Sequence, residues 1–283
     1  MRLLPKAMRE PVSLAYLLAR ASDTLADTEG LGAELRHEML LGFGEILHGA
    51  DRAAWLVKLS DEVIPCQHHQ GEKSLLKMMD EVFAWFHDFK DDQGYASILK
   101  VMDHILHGQR LDIERFELGQ STRLTQDAEL EEYCFLVAGC VGEFWTEIGY
   151  ISLPKFSSIE AERLKSMGIN YGKGLQLINI LRDLPCDLKQ GRCYLPGVDP
   201  SDRDAMMAEA ARWRARARAY LGDGHAYAKS LKSKRTRAAT ALPGLIGEST
   251  LDLLDHASWA ELEEGVKVSR RDVYRFTWEA FFV

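Results

Sequence analysis

Two acidic residues near the start of the sequence, Asp23 and Asp27, lie four residues apart. That spacing places both carboxylates on one stripe of a helix, and Tyr16 and Arg20 extend the same stripe. Two neighbouring carboxylates repel each other, and a divalent cation removes that repulsion. Mg²⁺ suits such a pair because it binds through one or two carboxylates and completes its shell with water and phosphate oxygens. The first stripe therefore predicts a Mg²⁺–phosphate site.

A second stripe of oxygen-bearing side chains follows much later in the chain. Its members, spaced by three or four residues, are Gln176, Asn179, Asp183 and Asp187. Carboxylate and amide oxygens are the ligands that a hard cation prefers, and Arg182 lies next to one of the acids. Pro185 falls inside this segment. Because proline removes a backbone donor and disfavours helix at the preceding residue, it predicts that Asp183 and Asp187 do not lie on one regular helix, although a kinked turn would still aim both at a metal.

The combination of the two stripes is more specific than either one. A single acidic pair is common on solvated helix surfaces, whereas here two such stripes each lie in an apolar helix beside an arginine. If the two helices face each other across a bundle, Mg²⁺ and the arginines would bind a diphosphate from both sides. Mg²⁺ and the arginines would then stabilise the negative charge of the diphosphate as it leaves the substrate.

Helical patterning dominates the sequence as a whole. Apolar residues recur every three or four positions through 7–28, 31–49, 51–63, 71–89, 93–118, 127–150, 158–184, 202–231 and 235–255. Period-2 alternation is almost absent, and no repeat, linker or low-complexity stretch marks a domain boundary. The 283 residues, 46% of them hydrophobic and 28% charged, are enough for a sizeable core. We therefore expect a single all-α domain spanning 1–283.

Composition excludes several classes of function. The net charge of −8 argues against nucleic acid as the main partner. The five cysteines form no CxxC pair, so neither a disulfide framework nor a zinc site is indicated, and a reducing cytoplasm is expected. The sequence opens without a signal-peptide pattern and has no run of 18 apolar residues, so no transmembrane segment is predicted.

One segment is strongly basic. Between 212 and 237 it contains four alternating arginines beside Trp213, followed by further lysines and arginines. Such a run is most often a solvated helix face balanced by acids elsewhere. The alternative is a positive rim that faces an anionic ligand or a membrane surface.

Four motifs in order resemble the squalene/phytoene synthase family, the head-to-head branch of the trans-isoprenyl diphosphate synthases. The stripe of 16–27, which includes the sequence Asp-Thr-Leu-Ala-Asp, is similar to the family's first aspartate motif. The segment 175–187 is similar to the second aspartate motif. Between them, Tyr-Cys-Phe-Leu-Val-Ala-Gly-Cys-Val-Gly at 133–142 resembles the family's central helix. Gly-Arg-Cys-Tyr-Leu-Pro at 191–196 resembles the stretch after the second motif. The resemblance covers nearly the whole chain.

This resemblance implies an isoprenoid-synthase-type helical bundle with a central active-site cavity. Two farnesyl diphosphates would bind, and Mg²⁺ would be held by Asp23, Asp27, Asn179, Asp183 and Asp187. The residues implied to bind substrate are Tyr16, Arg20, Gln176, Asn179, Arg182 and Arg192. Tyr133 would handle a proton or guide a cation, although the residue by itself favours a tyrosine that only packs between helices with its hydroxyl paired. Gly139 and Gly142 would either make room for a prenyl chain or allow close helix packing.

The resemblance further implies reduction by NADPH, with Lys267 and Arg270 in the basic segment that contacts the cofactor. No GxGxxG follows a strand, so a Rossmann-type nicotinamide site is not expected. The first aspartate motif favours squalene as the product. Dehydrosqualene, phytoene and presqualene diphosphate synthesis stay open within the family. Outside that reaction, a terpene cyclase and a non-catalytic paralogue that binds prenyl diphosphates also stay open.

Two further expectations concern the ends of the sequence. Family members carry a Ser-Arg/Lys-Ser-Phe segment before the Leu-Pro at 4–5, so a chain that begins at Met1 is expected to be weak or inactive. Because a hydrocarbon product is insoluble in water, we expect a loose, peripheral association with membranes. It would involve the basic 212–237 segment or the aromatic 276–283 segment.

Overall fold

The computed structural model describes residues 4–28, 30–119 and 122–283. Helices dominate these ranges, and the extended pairing in them consists of isolated bridges, so the all-α prediction is confirmed. Contacts divide the chain into two compact units. The first unit is Met8–Gln120, and the second unit is Met1–Ala7 together with Ser121–Val283. The single-domain assignment stays a prediction.

The first unit is built from six α-helices. They are α1 (Lys6–Asp27), α2 (Ala33–Leu47), α3 (Ala53–Lys58), α4 (Gln70–Lys77), α5 (Met79–Asp88) and α6 (Tyr95–Ile113). Both α3 and α6 continue into a π-helical turn, at Leu59–Val63 and Glu114–Leu118 respectively. The predicted segment 51–63 is thus one continuous stretch of helix that changes to π geometry, whereas the predicted segment 71–89 is divided into α4 and α5 by a turn at Met78.

Edge-to-face aromatic contacts hold the core of the first unit together. The ring centroids of Phe43 and Phe83 are 5.0 Å apart, and Trp55 lies 5.8 Å from Phe43 and 5.4 Å from Phe83. Helix α1 packs through apolar residues at three- and four-residue spacing, including Leu14, Leu18 and Leu25, all fully buried. This packing leaves the opposite side of α1 for its polar stripe.

The second unit contains the longer helices. They are α7 (Asp127–Cys134), α8 (Cys140–Ser152), α9 (Ala161–Lys189), α10 (Arg203–Ser230), α11 (Lys234–His256), α12 (Trp259–Glu264) and α13 (Arg270–Glu279). A π-helical turn at Phe135–Gly139 joins α7 to α8 into one helix from 127 to 152. Helix α9 packs against α8 on one side and α10 on the other.

Glycines allow α8 and α9 to come unusually close. A Cβ atom on Gly142 would lie 1.9 Å from the carbonyl oxygen of Gly168, and one on Gly172 would lie 2.2 Å from the carbonyl oxygen of Ala138. Both distances are far inside van der Waals contact, so only glycine fits at either position. Close helix packing therefore accounts for Gly142.

Helix α9 corrects one expectation. It is α-helical through Pro185, so Asp183 and Asp187 lie on one helix, and the expectation that the proline separates them is wrong. Proline lacks one backbone donor, but the helix extends for six turns before it, and Pro185 is itself buried on the side of α9 opposite the acids. Helices α12 and α13 lie outside the predicted segments. Each is short and begins at a serine cap, Ser258 and Ser269.

One helix, Asp127–Ser152, is long and apolar enough to cross a membrane by length and composition alone. It packs along α9, and 44% of its most apolar window is buried inside the protein. The core helix of a globular protein passes the same test, so this helix is weak evidence for a membrane span.

Candidate functional site

The first stripe lies on α1, away from the buried leucines. Tyr16, Arg20 and Asp27 are exposed, whereas Asp23 is half-buried. The spacing of these four residues thus correctly predicted that their side chains lie on one side of a helix. It did not indicate that one of the two acids would be so much less solvated than the other.

Two residues outside the motif set the environment of this stripe. The side-chain amide of Gln109, on α6, donates a hydrogen bond of 2.7 Å to Oδ1 of Asp23. Burial, followed by the negative charge of Asp27, raises the pKa of Asp23 from 3.8 to about 6, against the opposing effects of Arg20 and Gln109. Near neutral pH this carboxylate is therefore ionised at a cost, which a bound cation would reduce.

Arg20 is already paired. Its guanidinium donates to the carboxylate of Glu72, on α4, although Arg20 remains 43% exposed. The backbone N–H of Glu72 donates in turn to Nδ1 of His69, the residue that caps α4. A diphosphate that binds Arg20 must therefore compete with Glu72.

The fit of this stripe to a metal rests on its donor set. Among the described residues, no group of three or more His, Cys, Asp or Glu side chains is arranged to hold a metal ion. Helix α1 supplies two carboxylates. That number fits Mg²⁺ bound together with substrate oxygens and water, and it does not fit a closed structural site.

The second stripe occupies the last turns of α9. Asn179 donates from Nδ2 to Oε1 of Gln176 over 3.4 Å, and Asp183 and Asp187 follow on the same side, half-exposed. Arg182 binds Asp183 in a bidentate pair, from Nε to Oδ1 at 2.8 Å and from Nη2 to Oδ2 at 2.6 Å. The hydrogen bond that Arg182 donates to Asp183 is the main cause that raises the pKa of Arg182. This guanidinium is therefore a permanent cation, and its fork geometry suits phosphate as well as carboxylate.

Tyr133 stacks on Tyr194 at the end of α7. Their ring centroids are 4.9 Å apart with an interplanar angle of 18°, and their hydroxyls are 3.5 Å apart. A short bridge fixes the segment that carries Tyr194, because the backbone N–H of Cys193 donates to the carbonyl of Thr122 and that of Leu124 donates back to Cys193. Tyr194 belongs to the motif at 191–196, but nothing in that motif indicates a contact with Tyr133.

Arg192 lies at the start of that bridged segment. It follows Gly191, whose φ of +79° turns the chain away from α9. The backbone N–H of Arg192 donates to the carbonyl of Asp187 over 2.9 Å. The backbone thus ties the predicted phosphate-binding Arg192 to the last acid of the second stripe.

An apolar cavity of about 310 Å³ lies within the second unit. Its walls come from α8, α9, α10, α11 and the π-helical turn, with Val137, Val141, Leu175, Tyr227 and Pro243 among the lining residues. Two polar atoms in this lining, Nε1 of Trp145 and Oγ1 of Thr240, are buried without a hydrogen-bond partner. The volume is within the range of small-molecule sites, and the lining suits a hydrocarbon chain.

The four alternating arginines of the basic segment, at 212–218 on α10, are neutralised by ion pairs. They bind acids on other helices and on α10 itself: Arg212 with Asp127 and Glu209, Arg214 with Asp255, Arg216 with Glu131, and Arg218 with Asp252 and Asp255. For this part of the segment the structure therefore favours a solvated, charge-balanced face over a positive rim.

The residues expected to bind NADPH lie at the start of the last helix. Lys267 is in the loop before α13 and Arg270 is the first residue of the helix, and both are exposed. Their role toward a cofactor stays a prediction.

Comparison with known proteins places these features in a family. The squalene/phytoene synthase family matches residues 1–272. A phytoene synthase of Thermus thermophilus is 29% identical over 265 residues, which cover 89% of this chain and 76% of that protein. A squalene synthase of Cyberlindnera jadinii is 26% identical over 189 residues, which are 67% of this chain and only 40% of that protein.

A solved structure agrees in fold. The complex of TcSQS with the ligand BPH1237 superposes with a TM-score of 0.77 at 22% identity, covering 99% of this chain and 80% of that one. With the family match over residues 1–272, these findings establish that the chain belongs to the squalene/phytoene synthase family, the head-to-head prenyl diphosphate synthases.

Proposed function

We propose that this protein joins two farnesyl diphosphates head to head, through presqualene diphosphate, to give squalene with the use of Mg²⁺ and NADPH. The observation that carries the proposal is the division of α9 into two parts. Residues between Gly168 and Leu175 line the apolar cavity, and the turns from Gln176 to Asp187 carry the acid stripe. A long hydrocarbon chain that ends in a diphosphate suits both parts.

The acids of the two stripes would bind the metal. The proposed Mg²⁺ ligands are Asp23, Asp27, Asn179, Asp183 and Asp187. When bound, Mg²⁺ would supply the positive charge that stabilises a departing diphosphate. The raised pKa of Asp23 supports this assignment, because a bound cation would stabilise its ionised form.

Arginines would hold the diphosphate oxygens. Arg20 would exchange Glu72 for phosphate, and Arg182 would exchange Asp183. Arg192 would add a third cation, while Tyr16 and Gln176 would contact the substrate. Before the diphosphate binds, ion pairs hold the guanidinium groups of Arg20 and Arg182 beside the two stripes. Both groups are thus already ordered when the anion arrives.

Tyr133 would act on the cation that remains after ionisation. Its stacked partner Tyr194 fixes the ring plane, so that an aromatic face and a phenol are presented in one orientation. Aromatic faces stabilise cations, and the phenol could exchange a proton. Lys267 and Arg270 would bind the phosphates of NADPH.

A second candidate is a synthase that stops without reduction, making dehydrosqualene, phytoene or presqualene diphosphate. The similarity to a phytoene synthase over most of the chain favours this candidate. It would use the same stripes and the same cavity without hydride transfer, and phytoene synthesis would also require a longer prenyl chain.

The test is incubation of the purified chain with radiolabelled farnesyl diphosphate and Mg²⁺, with and without NADPH, and a parallel series with geranylgeranyl diphosphate. Squalene that forms only with NADPH would support the main proposal. Presqualene diphosphate, dehydrosqualene or phytoene in both tubes would support the second candidate. A cyclic product from one substrate molecule would indicate a terpene cyclase, and retention of substrate without product would indicate a binding paralogue.

Variants connect the product to the stripes. Asp23→Ala and Asp183→Ala are expected to abolish product, and Asp204→Ala, which removes an exposed acid on α10, is the matched control. Full activity in Asp23→Ala or Asp183→Ala would overturn the role of that stripe.

A further inference from the structure

The long axis of the apolar cavity follows from the way in which α8 and α9 pass each other. Gly142 on α8 lies against Gly168 on α9, and Ala138, in the π-helical turn before α8, lies against Gly172. The two helices are therefore antiparallel. On α9 the cavity lining ends at Leu175, next to the second stripe. The cavity thus has a near end beside that stripe and a far end beyond the contact of Gly142 with Gly168.

Two aromatic side chains lie at the far end. Among the described residues, the lining on α8 ends at Trp145, and the lining on α9 begins at Gly168. Tyr227 of α10 meets Gly168 from the other side, because a Cβ atom on Gly168 would lie 3.1 Å from Cε2 of Tyr227. The rings of Trp145 and Tyr227 therefore form the end wall of the cavity.

The two rings are held in different ways. Tyr227 is 1% exposed, and its hydroxyl donates to Oγ1 of Thr146 over 2.8 Å, because the hydroxyl of Thr146 itself donates to the carbonyl of Gly142. Trp145 is half-buried, and its indole Nε1 has no hydrogen-bond partner. Tyr227 is thus a fixed wall, whereas packing alone holds Trp145, and the indole decides how far the cavity extends along α8.

The length of the cavity can be compared with the length of a prenyl chain. Val137, at the near end, and Trp145 are eight residues apart, which corresponds to about 12 Å of helix. An extended carbon chain advances by about 1.2 Å per bond, so a farnesyl chain is about 13 Å long and a geranylgeranyl chain about 18 Å. The shorter chain fits between the second stripe and Trp145, and the longer chain does not.

We infer that Trp145 sets the length of the prenyl chain that this protein accepts, by closing the cavity where a farnesyl chain ends. The inference rests on the proposed function, in which the chain lies in this cavity with its diphosphate at the second stripe. The additional isoprene unit of a geranylgeranyl chain would overlap the indole. Trp145 would thereby favour the main proposal over phytoene synthesis.

The test is the binding of non-hydrolysable thiolodiphosphate analogues of farnesyl and geranylgeranyl diphosphate, with Mg²⁺, measured by titration calorimetry. This readout needs neither turnover nor NADPH. The wild type is expected to bind the farnesyl analogue at least about tenfold more tightly than the geranylgeranyl analogue. Trp145→Ala is expected to bind the geranylgeranyl analogue about tenfold more tightly than the wild type does, and Trp145→Phe should lie between the two.

A second tryptophan provides the matched control. Trp259, on α12, is also half-buried and also has an indole Nε1 without a hydrogen-bond partner, but it does not line the cavity. Trp259→Ala is therefore expected to keep the wild-type ratio of the two affinities. Circular dichroism and thermal unfolding of each variant check that the fold is intact.

A variant of the opposite kind shortens the cavity. Helix α11 runs parallel to α9, because Gly244 lies against Tyr171 and Gly247 lies against Ile178. Ala239, the first lining residue on α11, is therefore at the far end. Ala239→Leu fills part of that space, so it is expected to weaken binding of the farnesyl analogue about tenfold and to leave binding of a shorter geranyl analogue unchanged.

The outcomes separate the inference from the proposed function. Equal affinity of the wild type for both analogues, or an unchanged ratio of affinities in Trp145→Ala, would overturn the inference and leave the proposed function intact. A wild type that binds neither analogue would refute the proposed function and the inference with it. If Trp145→Ala does not fold, Trp145→Phe and Ala239→Leu decide the question, and wild-type ratios in both would overturn the inference.

Discussion

Gln109 and Asp23 are joined by a hydrogen bond of 2.7 Å, from the side-chain amide of one to the carboxylate of the other, although 86 residues separate them in the chain. Gln109 is buried, so its donor is not exchanged freely with water. The bond fixes the orientation of the more buried acid of the first stripe, and it favours the ionised form that a metal ligand requires.

Removal of this donor should weaken binding in a pH-dependent way. In Gln109→Leu the pKa of Asp23 is expected to rise above about 6, because a hydrogen bond that lowers it is lost. Binding of Mg²⁺ with inorganic pyrophosphate, measured by titration calorimetry, should therefore be weakened most near pH 6 and least above pH 8. The exposed Gln70→Leu, on α4, is the control. A loss of equal size at every pH would contradict the explanation.

Asp23→Asn should stabilise the metal-free protein. The pKa of Asp23 is raised in the folded state, from 3.8 to about 6, so the folded protein binds the proton more tightly than the unfolded chain does. Ionised Asp23 therefore destabilises the fold above pH 6, and this loss is recovered as the pH falls from about 6 to about 4. Asparagine keeps the acceptor for Gln109 and removes the charge, which corresponds to about 2 to 3 kcal/mol.

The measurement is thermal unfolding of Asp23→Asn and wild type from pH 4 to pH 8, without metal and with Mg²⁺ and pyrophosphate. The variant should be more stable at pH 8 and equal to wild type near pH 4, and it should lose the stabilisation that ligand gives the wild type. Asp27→Asn, which changes the exposed acid, should give a smaller gain without metal. A variant less stable than wild type at pH 8 would refute the prediction.

Glu72→Gln should tighten binding of an anion. The change removes the carboxylate that pairs with Arg20 and also a charge that raises the pKa of Asp23. Both effects favour Mg²⁺ with pyrophosphate, so the dissociation constant should fall about threefold to tenfold. Because the Arg20–Glu72 pair is partly exposed, the free energy of unfolding should change by less than about 1 kcal/mol. Glu81→Gln, on α5, serves as a control, and weaker binding in Glu72→Gln would show that Glu72 helps to position Arg20.

The contrast between these residues shows what the sequence could predict. The stripe of α1 follows from a spacing of three and four residues, which is local information, and the structure confirms it. Gln109 and Glu72 could not be found in the same way, because each reaches the stripe from a different helix. The amphipathic pattern of α6 does not distinguish a buried glutamine that donates a hydrogen bond to an acid from a buried glutamine that only packs.

Pro185 and α13 show two other limits. A local rule predicted that Pro185 would interrupt the helix, but a long helix loses only one hydrogen bond there and continues to Lys189. In α13 the aromatic residues were visible in the sequence, but the buried face is selected by α11, and the sequence alone does not show which residues that helix covers.

The close crossing of α8 and α9 gives a stability prediction with an internal control. In Gly142→Ala the new methyl group would lie 1.9 Å from the carbonyl oxygen of Gly168, so the two helices must separate. Overpacking of this kind costs about 2 to 3 kcal/mol. Gly222, on α10, has no atom within 4 Å of its Cβ position, and Gly222→Ala should instead stabilise the protein by about 1 kcal/mol through helix propensity.

Urea unfolding of both alanine variants measures this difference. Gly142 also lines the apolar cavity, so separation of α8 from α9 should alter the cavity as well as the stability. Binding of a non-hydrolysable farnesyl diphosphate analogue should therefore weaken in Gly142→Ala and stay unchanged in Gly222→Ala. Equal stability of Gly142→Ala and wild type would show that the helices separate at little cost. In that case close packing would not explain the glycine, and space for a prenyl chain would be the better explanation.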